Sequence, residues 1–170
     1  MAHDNLLRLS FSGRLRATTP EMKSFVSAIA NREGSHFNDQ VAELFTYPAL
    51  TVRKKVDKIP GTSGLKNVGD LDVLVANPDR KHLYVVECKN LSNARTPHER
   101  KLELENLFGG ARVTNPIVQR HSERLKWVKA NLAAVLRWLD LGDPKGWKVD
   151  AQIVVDQPLM APYLKKAPFA

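Results

Sequence analysis

The spacing of apolar residues changes several times along the chain, and each change marks an element. After weak patterning over Met1 to Ala17, Thr18-Thr-Pro20 has the hydroxyl-then-proline order of a helix start, followed by Phe25, Val26 and Ile29 at helical spacing. Asn31 to Gly34 is expected to end this helix. A second one is expected from near Ser35, with Phe37, Val41 and Leu44 on one face, stopping ahead of Pro48. Leu50, Val52 and Val56 then alternate with polar residues as on a strand, and Gly61-Thr-Ser-Gly64 reads as a flexible loop. Leu71-Asp-Val-Leu-Val-Ala76 and Leu83-Tyr-Val-Val-Glu-Cys88 flank a turn containing Asn77, Pro78 and Asp79, which predicts a β-hairpin. Thr96-Pro-His-Glu99 joins a threonine cap, a first-turn proline and a following glutamate, so Pro97 to Phe108 is expected to be helical, with Gly109 and Gly110 as its stop. Asn115-Pro116 repeats the start signal. Leu125, Val128, Leu132, Val135 and Leu139 then define a long core helix with a break near Asn131. After Gly142-Asp-Pro144, Val149 to Val155 is a last strand, and Pro158 to Ala170 is a proline-punctuated tail.

The order helix, three strands, one or two helices, strand predicts an α/β domain. Its central mixed sheet of four to five strands is flanked by helices (α-β-β-β-α-β), with the first three strands antiparallel. A chain of 170 residues, 43% hydrophobic, is enough for one sizeable core and short for two. The expected layout is an N-terminal segment with a helix (1–34), a core domain (35–157) and a tail (158–170).

Charge narrows the partners. The 26 Lys and Arg against 18 Asp and Glu give a net charge of +8, which favours polyanions such as nucleic acid, although a generic solvated basic surface is an equal reading. The single cysteine, Cys88, rules out an internal disulfide and a multi-thiolate zinc site, and it fits a reducing cytoplasm. His3, His36, His82 and His98 lack metal-ligand spacing. Neither a secretory leader pattern nor a membrane-spanning apolar stretch is present, so no membrane association is expected. Trp127, Trp138 and Trp147 fall at helix or strand positions and are expected in the core. No P-loop, dinucleotide fingerprint or nucleophile elbow is evident.

The hairpin holds the chemistry. Side chains two apart on a strand share a face, so Asp70 pairs with Asp72 on one strand and Glu87 with Lys89 on the next. Charges inside apolar strands are costly unless paired or bound to an ion. Magnesium needs only one or two protein carboxylates and keeps water for chemistry. The register decides whether the two sets meet: Asp72 opposite Glu87 makes a site, whereas Asp72 opposite Val86 puts the acids on opposite faces. The competing reading is that Glu87 and Lys89 merely pair with neighbouring charges at a strand end.

Gly69-Asp-Leu-Asp-Val-Leu-Val75 followed by Val85-Val-Glu-Cys-Lys-Asn90 resembles the restriction-endonuclease-like, PD-(D/E)XK nuclease superfamily, and within it the Mrr-type and junction-resolvase branch. The resemblance spans about Gly34 to Val155; its motifs are short, and their order and spacing carry it. It implies a restriction-endonuclease-like core and hydrolysis of phosphodiester bonds, with DNA as the expected substrate and Mg2+ or Mn2+ as cofactor. Asp72 and Glu87 would be the metal ligands, with the Cys88 backbone carbonyl as a further one and Asp70 as an accessory. Lys89 would orient or activate the attacking water and stabilise the growing charge.

Relatives carry a glutamate on the first helix after an apolar residue, but here Asn38 follows Phe37. Glu43 would point away from the face set by Phe37, Val41, Leu44 and Phe45, which leaves Asn38 as the first-helix candidate. Its amide brings no charge, so metal number and activity stay open. His121 lies on the same helix face as Leu125 and Val128, either as a structural residue or as part of a group with Gln119, Arg120 and Arg124 that contacts substrate. Arg53, Lys54, Lys55, Lys58 and Lys66 before the motif, and Arg95, Arg100 and Lys101 after it, are candidates to guide nucleic-acid backbone. The alternatives to a nuclease are an inactive nucleic-acid-binding module and a regulatory domain of a larger DNA-processing or defence assembly. Both a homodimer and a module of a larger complex are open.

Overall fold

The computed structural model describes residues 6, 9, 10, 15–91 and 94–166. The first helix, α1 (Pro20–Leu44), starts as its sequence predicts: Pro20 occupies the first turn and the Thr19 side chain accepts the Met22 N–H at 3.2 Å. It then runs unbroken through Asn31–Gly34, so the expected stop there and the restart at Ser35 are wrong, and the domain boundary after residue 34 falls inside a helix. A glycine in a helix interior costs only about 1 kcal/mol relative to alanine. Burial of Val26 at one end of the helix and Val41 and Ala42 at the other outweighs that loss.

The strand β1 (Thr51–Val56) precedes a loop in which the single turn α2 (Leu65–Val68) was not foreseen. It forms because Leu65 buries itself in the core, a tertiary cause that leaves no periodic pattern. The hairpin strands β2 (Leu71–Asn77) and β3 (His82–Lys89) lie where alternation puts them. Helix α3 (Pro97–Phe108) carries the full reciprocal cap between Thr96 and Glu99. Helices α4 (Ile117–Ala130) and α5 (Leu132–Trp138) are separated at Asn131, whose amide donates to the Trp127 carbonyl at 2.9 Å. The strand β4 (Lys148–Val155) and a last turn, α6 (Ala161–Leu164), complete the chain described.

The sheet is mixed, open and four-stranded, in the order β1-β2-β3-β4; β1, β2 and β3 are antiparallel neighbours and β4 runs parallel to β3. A parallel neighbour requires a long crossover, and α3 to α5 supply it. Leu74, Ala76, Leu83 and Val85 point to one face, under Val128, Val135 and Leu139 of α4 and the α5 region. Val73, Val75, Val86 and Cys88 point to the other, under Val41 and Ala42 of α1. All three tryptophans pack against the first of these clusters, as expected. Leu159 and Ala161 of the tail are buried with Leu107 and Ile117, so this part of the tail belongs to the core. Among the described residues no helix is long and apolar enough to cross a membrane.

Candidate active site

The pairing of Val73 with Val86 and Leu74 with Val85 sets the hairpin register. One step further along the same ladder, Asp72 stands across from Glu87, the alternative that brings the acids together. By alternation both side chains share the α4 side of the sheet with Leu74 and Val85. Glu87 is 1% exposed. Its Oε1 lies 2.8 Å from Lys89 Nζ, two residues on along the same face, and its Oε2 accepts a hydrogen bond from Arg124 Nη1. His121, one turn before Arg124 and fully buried, places Nδ1 3.8 Å from the same oxygen. Asp72 Oδ2 accepts the backbone N–H of Cys88 at 2.8 Å.

These contacts separate the two acids. Burial alone would push the Glu87 carboxyl up, but the charges of Lys89 and Arg124 outweigh it and hold Glu87 below the usual range. Asp72 goes the other way: burial, and then the charge of Glu87, raise it despite the Cys88 N–H and the more distant Lys89 and Arg124. Burial lowers His121, and Arg124 adds to the effect, together outweighing the opposing pull of the Glu87 charge. Burial and the two acids push the Cys88 thiol up to about 12, which leaves it inert as a nucleophile.

Among the described residues no three His, Cys, Asp or Glu side chains gather as a metal-holding group. A cation here would have the Asp72 and Glu87 carboxylates for ligands, as few as magnesium accepts when water completes its shell. Asp72 has one oxygen engaged by no hydrogen bond among the described residues, and its carboxyl is burdened by burial and a like charge. A cation beside that oxygen would relieve both, so Asp72 fits one, whereas both Glu87 oxygens already face cationic side chains.

Gly69 shapes the neighbourhood. It adopts φ +86°, and a Cβ there would stand 2.8 Å from Arg124 Nη2, so the missing side chain is what lets the guanidinium lie against the backbone leading into β2. This turn also ends the strand alternation: Asp70 lies before β2, exposed, and does not join Asp72 as the shared-face argument expected. Asn38 sits on α1, which packs against the opposite face through Phe37, Val41 and Ala42, and makes no hydrogen bond to the acids. At the end of β4, Asp156 Oδ1 accepts the Leu91 N–H at 2.7 Å and fixes the chain just beyond Lys89. Sequence reasoning missed that residue, an acid like any other at a strand end.

The basic candidates scatter. Arg53 places its guanidinium 6.0 Å from the Trp138 ring centroid, and Lys54 pairs with Asp39 of α1 at 2.6 Å. Lys55 takes a left-handed φ of +51° and drops out of the β1–β2 ladder between the Lys54–Val73 and Val56–Leu71 pairs, and its charge acts on Asp39. Lys54 thus faces α1 rather than the acids. Lys58, Lys66, Arg95 and Arg100 are exposed, as is Lys101, 4.0 Å from Glu105. Gln119 is exposed and donates to Glu123 at 3.4 Å, while Arg120 is half-buried and its buried Nε has no hydrogen-bond partner among the described residues.

Fold and site together define an open-sheet α/β domain with a buried carboxylate and cation group on its central hairpin. The chain belongs to the anti-phage protein Upx-like family, whose model matches residues 4–155. Searches of curated proteins and of solved structures found no match.

Proposed function

We propose that this member of an anti-phage family is a metal-dependent nuclease of the restriction-endonuclease-like, PD-(D/E)XK type, cutting phosphodiester bonds in DNA. One observation carries the reading: the hairpin register sets Asp72 across from Glu87, with the Lys89 ammonium 2.8 Å from Glu87 on the same face. Asp72 and Glu87, with the Cys88 carbonyl, would hold magnesium or manganese, which when bound polarises the phosphate and makes its water a stronger nucleophile. Lys89 would orient the attacking water and stabilise the charge that grows on the phosphate oxygens. The Asp72–Cys88 backbone bond keeps the two strands in register, and the Asp156–Leu91 bond fixes where Lys89 ends β3. DNA fits the net charge of +8 and the exposed Lys58, Lys66 and Arg100.

The test incubates the purified protein with duplex, branched and single-stranded DNA and with RNA, in magnesium, manganese or chelator. Cleavage is expected only with a divalent cation. Asp72→Ala and Lys89→Ala should each lower it by roughly 100-fold or more while nucleic-acid binding is retained. Undiminished cleavage by Asp72→Ala, or cleavage in chelator, would overturn the assignment. A second reading, a module that binds nucleic acid without cutting it, is favoured by one feature: both Glu87 oxygens are already engaged by cationic side chains. A parent protein that binds DNA with a steep salt dependence and never cuts it would support that reading.

A further inference from the structure

The Arg124 side chain is 12% exposed, yet only part of its hydrogen-bonding capacity is used. Nη1 donates to Glu87 Oε2, Nη2 lies where a Gly69 side chain would otherwise be, and the buried Nε has no hydrogen-bond partner among the described residues. A buried guanidinium with an idle donor is held in place by the carboxylate it neutralises rather than by a complete set of bonds. Glu87 in turn offers no free oxygen, since Lys89 has the other. A cation arriving at Asp72 therefore finds its second carboxylate already occupied, by a guanidinium whose Nε is still without a hydrogen bond among the described residues.

We propose that Arg124 is a displaceable counter-ion: it occupies Glu87 at rest, gives way to a divalent cation, and passes to a phosphate of the nucleic acid, so that cation and substrate each help the other to bind. The exchange rests on the nuclease reading of Asp72 and Glu87 as cation ligands. It is a substitution of ion pairs in which no covalent bond changes. Linkage makes it reciprocal: whatever factor DNA lends to cation binding, the cation lends to DNA binding.

Calorimetric titration of the whole chain with calcium, a hard oxygen-seeking ion that serves as a probe without cleavage as the readout, tests this with and without a duplex oligonucleotide. For the parent, the duplex should tighten calcium binding about tenfold, the scale expected when a charge-assisted hydrogen bond is exchanged. Arg124→Met should bind calcium about tenfold more tightly than the parent without DNA, and the duplex should add nothing. Thermal melting establishes that the variant is folded; Arg124→Gln, which keeps a donor without the charge, is read the same way if the methionine variant is not. Equal or weaker calcium affinity in both variants would sink the counter-ion role while leaving the nuclease reading intact. No calcium binding by the parent, even with DNA, would sink the cation site itself and the exchange with it.

Discussion

Gly69 is the residue on which the site most depends without contributing a functional group. Gly69→Ala meets two penalties, a left-handed backbone at φ +86° and a Cβ 2.8 Å from Arg124 Nη2. Gly142→Ala meets only the first, at φ +75° with nothing within 4 Å. Urea denaturation should show Gly142→Ala losing about 1–2 kcal/mol and Gly69→Ala about 1 kcal/mol more. Equal losses would mean that the guanidinium moves aside freely. At this scale the sequence was legible where strand alternation applies: it put Asp72, Glu87 and Lys89 on shared faces and left only a two-way choice of register. It offered Arg124 only as a candidate substrate contact and did not foresee its carboxylate partner, since on a helix bearing exposed charges it looks like any other surface arginine. Its contact with Glu87, 37 residues away, depends on how α4 crosses the sheet. The neighbours of Arg53 and Lys54 were hidden for the same reason, since a basic run does not say which groups, here Trp138 and Asp39, will lie beside its charges.

Among the elements, α1 offers a direct measurement. Gly34 lies inside the helix with nothing within 4 Å of a built Cβ, so Gly34→Ala should stabilise the protein by about 0.5–1 kcal/mol. For a chain of this size that raises the melting temperature by roughly 1–4 °C. An unchanged or lower melting temperature would show that this turn is not in ordinary helical geometry. Elements set by local chemistry, the hairpin turn and the Thr96–Glu99 cap, were readable because their causes lie within a few residues. The break expected at Asn31–Gly34 failed because a weak local preference was asked to overrule burial at both ends of the helix, and α2 was missed because one buried leucine makes a turn without making a pattern.

For the whole molecule, acid sensitivity follows from what has been buried. The His121 ring is lowered in the folded protein from the 6.5 of an ordinary histidine. Above pH 6.5 it is neutral in both states and its contribution is complete; as the pH falls below 6.5 the unfolded chain takes up a proton that the fold refuses, and stability is lost at up to about 1.4 kcal/mol per pH unit. Glu87 acts lower on the scale: its contribution is present above the ordinary 4.5 and disappears as the pH falls through its depressed value. Asp72, raised by burial and Glu87, has the opposite sign and costs stability as it ionises. Melting temperatures in chelator should therefore fall between pH 7 and pH 5 for the parent, and less steeply for His121→Gln. Parallel curves would mean that the ring is charged in the folded state.

The left-handed kink at Lys55 has a consequence beyond the site. β1 is an outer strand of an open sheet, and behind it lie Val73, Leu74 and Val75 and then Leu83, Val85 and Val86, apolar and largely β-branched. Strands of that kind stack into fibrils when a straight, uncharged border lets a second molecule add to them. Arg53, Lys54 and the twisted Lys55 make this border charged and uneven, which guards the protein against self-aggregation at high expression.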